Sequence, residues 1–152
     1  MIKVKLCDLI DAIEFNNDDN RAFINLKTGE ICCIPTEVFN SVKEDNENDF
    51  PDWQQDEIQM TKNYLNNPDD YIGIPTQFDV NEYGMMEDFV FSPENEQLKQ
   101  LLFIAMKGTG AFRRFKDTLI VAGIEKVWYQ FREERYKTFA LDWCEVNDLE
   151  IV

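Results

Sequence analysis

The sequence predicts an α+β fold, a mostly helical single domain over residues 1–152 with a small antiparallel sheet that includes a β-hairpin at about 22–34. Three observations lead there. Apolar residues recur at helical spacing along most of the chain. Two β-prone runs, 22–26 and 31–34, flank a short turn that contains a glycine. Aromatic residues are abundant, with twelve Phe, five Tyr and three Trp, so 152 residues suffice to bury a core of large rings without covalent staples.

Each element follows from local chemistry. Leu6, Leu9, Ile10 and Ile13 share a stripe and predict a short first helix. The asparagines and aspartates at 16–20 break it, because their side chains favour turns. The hairpin turns through 27–30 (KTGE), where Gly29 supplies the positive φ that a short loop requires. Pro35 ends the second strand, and the acidic run 44–49, closed by Phe50 and Pro51, reads as a loop. Asp52 then caps a helix bearing Trp53, Glu57, Met60 and Tyr64 or Leu65, which stops at 66–70. Residues 71–74 read as a short strand, a third member of the sheet.

The second half is helical. A helix over 81–91 places Tyr83, Met86, Phe89 and Val90 on one side. Ser92 and Pro93 start the next as cap and first residue, with Leu98, Leu101, Leu102 and Ala105 facing inward. Gly108 stops it, and Thr109 or Gly110 opens another that points Phe112, Phe115 and Leu119 or Ile120 at the core. Gly123 ends that helix. A long one follows from about 125 to 146, wide in its apolar coverage, and 149–152 reads as a terminal strand.

Composition bounds function. The formal net charge is −15, and it is segregated: residues 1–104 hold 22 Asp/Glu against 7 Lys/Arg, whereas residues 105–152 hold 8 of each. The chain has no histidine, which removes imidazole-based catalysis, histidine-ligated metals and imidazole pH sensing. Cys7, Cys32, Cys33 and Cys144 show neither a C-x-x-C spacing nor the density of a secreted scaffold. Cys32 and Cys33 are neighbours on a strand, so one faces the core and the other faces out. No apolar run approaches the roughly 20 residues of a membrane span, and no signal-peptide pattern opens the chain. A cytoplasmic location, with no membrane partner, is the expectation.

The candidate site lies in residues 107–119 (KGTGAFRRFKDTL). Lys107, Gly108, Gly110, Arg113, Arg114 and Lys116 combine a glycine corner, a helix start and clustered cations, which suit an anion or an acidic partner. No Gly-Lys-Ser/Thr follows as a phosphate loop requires, and the third glycine of a dinucleotide fingerprint is missing. The competing structural reading makes Gly108 a helix C-terminus and pairs Arg113 with Asp117 one turn on. On the long helix, Tyr129, Arg132, Arg135, Tyr136 and Lys137 interleave rings and cations as single-stranded nucleic acid requires. Glu133, Glu134 and the −15 body oppose a polyanion, so nucleic acid is disfavoured as a partner. The twelve-residue calcium loop is absent, and neither a metal nor another cofactor is assigned.

Residues 105–119, followed by Trp128, Phe131 and the run 140–143 (ALDW), resemble uncharacterised protein family 0158, whose bacterial members carry a similar GxGAFRRFKD core. The 27–30 turn and the acidic run 86–89 (MEDF) are similar to that family's upstream elements. The resemblance implies a small cytoplasmic bacterial protein, and it brings no catalytic residues with it.

Together these features point to a non-enzymatic protein-interaction module with an acidic body and a basic helix-corner site. One alternative is a small enzyme or binding protein that holds a phosphate or carboxylate at the 108–114 corner. Another is an acidic mimic of a polyanion that occupies a basic protein. A homo-oligomer is compatible with all three.

Overall fold

Gly29 takes a φ of +79°, and around it the hairpin closes. β1 (Ile2–Val4), α1 (Leu6–Phe15), β2 (Asn20–Asn25) and β3 (Ile31–Pro35) open the chain. β2 and β3 pair antiparallel, with Phe23 opposite Cys32 and Ile24 opposite Ile31. Asn25 fixes the turn by accepting from the backbone N–H groups of Lys27 and Thr28 through its side chain. The structure is a computed structural model that describes residues 2–44, 51–91 and 95–152.

The expected third strand is present as β4 (Tyr71–Gly73), which pairs antiparallel with β2 and gives the order β3-β2-β4. The terminal strand, β5 (Leu149–Ile151), lies elsewhere. It pairs parallel with β1, Ile2 opposite Leu149, as a separate two-stranded sheet. With α2 (Thr36–Lys43), α3 (Gln55–Asn66), a four-residue α4 (Gln77–Val80), α5 (Glu82–Val90), α6 (Glu96–Ala105), α7 (Ala111–Ala122) and α8 (Glu125–Val146), the fold is a mostly helical α+β one.

The chain forms two compact units, one of residues 1–79 with 140–152 and one of residues 80–139. The first is built on the three-stranded sheet. Phe23, Ile34, Val38, Phe39, Val42 and Ile58 form its buried cluster, against which Met60, Tyr64, Leu65 and Tyr71 pack. Phe23 and Tyr64 stack with centroids 4.2 Å apart. Asn16, expected only to break α1, also ties its end down, because its side-chain amide donates to the carbonyl of Ile74 at 2.5 Å.

The second unit is helical. Phe89 meets Phe115, Trp128 and Phe131 edge-on, Phe115 meets Trp128 edge-on, and Trp128 stacks on Phe131, with centroid separations of 6.2 Å for Phe89–Phe115 and 5.0 Å for Phe115–Trp128. Each such contact adds roughly 0.5–1.5 kcal/mol beyond simple burial. α7 ends in a Schellman motif: the N–H of Ile124 donates to the carbonyl of Leu119 at 3.0 Å and that of Gly123 to Ile120 at 3.1 Å.

Several expectations change in detail. α2 is an additional helix, buried through Val38, Phe39 and Val42. The helix expected from Asp52 starts as one 3-10 turn, Asp52–Gln54, and Asp52 makes no side-chain cap. Trp53, the first of the residues assigned to that helix by spacing, is 75% exposed, and Ile58 and Thr61 are buried. Asn95 caps α6 by accepting from Gln97 and Leu98. The expected cap, Ser92, and Pro93 lie outside the described residues, as does most of the acidic 44–49 loop with Phe50. Leu101 points outward from α6, where Leu102 and Ala105 are buried.

Candidate functional site

The 107–116 segment forms a corner between α6 and α7, and its six candidate residues divide into two groups. Gly108 and Gly110 both take positive φ, +75° and +79°, which lets the chain turn from α6 into α7 within residues 106–110. Arg114 folds back across that corner. Its Nε donates to the carbonyl of Ala105 at 3.2 Å, Nη1 to Thr109 and Nη2 to Lys107. Carbonyls at a helix C-terminus lack partners within the helix, so the guanidinium caps α6 in place of a ligand. Lys107 lies over the Phe103 ring, its Nζ 4.7 Å from the centroid.

Arg113 and Lys116 face elsewhere. Both line a cleft of about 480 Å³ with Phe112 and Ile120 of α7, Glu82 and Met86 of α5, and Trp128, Tyr129 and Arg132 of α8. Phe112, Lys116 and Ile120 fall at successive i, i+4 positions, so they share one face of α7. That face looks outward: Phe112 is 50% exposed and Ile120 56%, whereas Phe115 and Leu119 fill the core. The expectation that Phe112 is buried is therefore corrected. It lies at the cleft rim, its ring edge-on to Tyr83 at 6.4 Å.

The expected Arg113–Asp117 pair does not form, and among the described residues neither Arg113 nor Lys116 has an ion-pair partner. The cation of α8 is held differently. Arg132 donates to Glu82 Oε1 from Nε at 3.0 Å and from Nη2 at 2.5 Å, and it stacks over the Tyr136 ring at 4.4 Å. The buried Tyr136 hydroxyl donates to the same oxygen at 2.5 Å. Glu82 thus clamps α5 to α8 and forms one wall of the cleft. The Arg132–Tyr136 spacing of four residues was the available signal for this clamp; Glu82 itself carried none.

Three of the five interleaved rings and cations of α8 are already engaged within the fold. Tyr136 is buried, Arg132 binds Glu82, and Arg135 pairs with Asp88 while lying over Phe131. Thiol chemistry has no support from the local environment. Cys32 is buried on β3 and Cys33 is exposed, as the alternation of a strand requires. Burial, then the nearby Glu30 and Cys33, push the Cys32 thiol up to about 11, and burial also raises Cys33 and Cys144. A nucleophilic thiol needs the opposite shift. Among the described residues no group of three metal-ligating side chains converges, and no helix is long and apolar enough to cross a membrane.

Comparison with known proteins places the sequence in a family. The model of the uncharacterised protein family UPF0158 matches residues 1–152. The chain belongs to this family. Among curated relatives, UPF0158 protein PA5073 of Pseudomonas aeruginosa is 29% identical over 86 residues. That match covers 56% of this chain and 56% of the relative, so the chain spans little more than half the length of the curated UPF0158 protein it resembles. No solved structure matches.

Proposed function

We propose that this UPF0158 member is a cytoplasmic, non-enzymatic protein-interaction module. Its acidic body carries one basic, ring-lined contact surface along the outer face of α7. The observation that carries this is the state of Arg113 and Lys116: both line the cleft without an ion-pair partner among the described residues, beside half-exposed Phe112, Ile120 and Tyr129. Aromatic rings and arginine are the side chains enriched at protein contact surfaces. Arg114, by contrast, acts as scaffold, and Gly108 and Gly110 shape the corner.

A photo-reactive phenylalanine analogue at position 112 tests the proposal in cells. A discrete crosslinked species is expected, lost on Arg113→Ala/Lys116→Ala and absent with the analogue at the exposed position 53. Equal crosslinking at 112 and 53, or a species indifferent to the double variant, overturns it.

The cleft volume supports a second reading, a small anion with an apolar body, because about 480 Å³ lies within the usual range of small-molecule pockets. A carboxylate or phosphate at 100 times its Kd adds about 2.7 kcal/mol of stability. A thermal-shift panel of such anions that raises Tm in the parent and not in Arg113→Ala/Lys116→Ala selects this reading over the first.

A further inference from the structure

The chemistry of the cleft specifies its occupant further, on the footing that the α7 surface is a protein contact. Its walls come from three helices, α5, α7 and α8. Helical backbone satisfies its own N–H and C=O groups, so this surface has no strand edge to extend and recognition falls to side chains alone. The exposed stripe from Phe112 through Lys116 to Ile120 runs over nine residues, a rise of about 12 Å along the axis and roughly two helical turns. Trp128 and Phe115 form the floor, and both are buried. An apolar side chain set down there meets the rings of Phe112, Trp128 and Tyr129 together with Met86 and Ile120.

Charge then selects the sign. Arg113 and Lys116 on α7 are the cleft's unpaired cations among the described residues, while Arg132 is matched by Glu82. Asp117 is the remaining carboxylate in the lining. The local excess is positive in a chain whose net charge is −15. A basic segment has most of the protein surface open to it through general attraction; an acidic one finds its complement here. We infer that the cleft receives a short amphipathic helix of a partner protein, with aliphatic or aromatic side chains seated between Phe112, Ile120 and Tyr129 and carboxylates on Arg113 and Lys116.

The test uses the full chain and a displayed library of random 12-residue peptides, selected at 0.15 M salt so that the body's charge acts over only about 8 Å. Peptides retained by the parent are expected to combine Asp or Glu with Leu, Ile, Phe or Trp at helical spacing. Their retention should drop at least tenfold on Arg113→Glu/Lys116→Glu, whose own selection should shift towards lysine-bearing peptides. Arg113→Gln/Lys116→Gln gives the same readout, a tenfold loss, should the reversal disturb folding. Amide shifts on adding one retained peptide should cluster at residues 112–120 and 129. Basic or neutral peptides on the parent, or acidic peptides indifferent to both variants, overturn the inference. If those results accompany a position-112 crosslink that depends on Arg113 and Lys116, the interaction module stands and the acidic helix falls. Without that crosslink, both fall.

Discussion

A single carbon atom at position 29 decides whether the hairpin can lie against β1. A Cβ built on Gly29 stands 2.5 Å from the backbone carbonyl oxygen of Lys3 and 3.0 Å from a methyl of Ile2. The φ of +79° adds its own strain for any L side chain. Gly29→Ala is expected to destabilise by about 2–4 kcal/mol, since strain and overpacking both act. Gly29→Asn separates the two, because asparagine tolerates positive φ yet carries the same Cβ. Gly73 is the internal control: nothing lies within 4 Å of its Cβ, so Gly73→Ala should stay within about 0.5 kcal/mol in urea denaturation. A harmless Gly29→Ala would remove the close approach as the reason for glycine there. Cys32 makes a second prediction at this scale. Its folded-state pKa of about 11 exceeds the ordinary value of 9.0, so the folded chain holds the proton more tightly than the unfolded one. The stability this confers is whole below about pH 9 and declines as pH rises from 9 through 11. Urea midpoints across that window should fall more steeply for the parent than for Cys32→Ala; parallel slopes would show that the thiol is not the group responsible.

The α6–α7 corner depends on one side chain. Arg114 supplies donors to three carbonyls, and removing it leaves all three to water or to nothing. The site is partly exposed, so Arg114→Ala is expected to cost about 1–2 kcal/mol. Lysine, with a point charge in place of a planar fork, should recover only part of that. Arg113→Ala, one residue earlier, should lie within about 0.5 kcal/mol. Equal losses at 113 and 114 in urea denaturation would contradict the division into contact and scaffold. Much of this architecture was legible from local pattern. The β2–β3 turn, the stop at Gly123 and the 125–146 bounds of α8 all follow from turn chemistry and helical period. α2 escaped because eight residues directly after a proline give too short a period to stand out. α7 presents two apolar pairs, Phe112 with Ile120 and Phe115 with Leu119, on neighbouring faces of the helix. Packing against Trp128 and Phe89 decides which pair goes inside, and spacing along α7 holds no record of that. The same limit applied to the site. A run of three cations is visible as letters, but the direction of Arg114 depends on a corner made by two positive-φ glycines.

Fifteen excess negative charges on 152 residues make electrostatics a property of the whole chain. Self-repulsion in a compact state exceeds that in an expanded one, so the net charge opposes folding. Local attractions act the other way. The ion pairs of Lys27 with Asp70 and of Arg135 with Asp88 are exposed, and such pairs contribute roughly 0–1 kcal/mol each. Salt weakens both effects, and the sign of the net response shows which dominates. At 0.01 M ionic strength the screening length is about 30 Å, long enough for charges to repel across the fold, whereas at 0.15 M it is about 8 Å. The distant, like-charged pairs are therefore screened first, and the close opposite pairs keep most of their attraction. Tm is expected to rise by several degrees between those two concentrations of sodium chloride, where an increment of about 1 kcal/mol corresponds to roughly 2–4 °C in a chain of this length. Sodium chloride rather than sulfate keeps the comparison electrostatic, since sulfate strengthens apolar burial as well. Neutralising Asp18, Asp19 and Asp69 to asparagine should flatten the salt response and raise Tm at low salt. A Tm that falls as salt is added would mean that specific ion pairs, rather than the excess of acids, set the electrostatic balance of this fold.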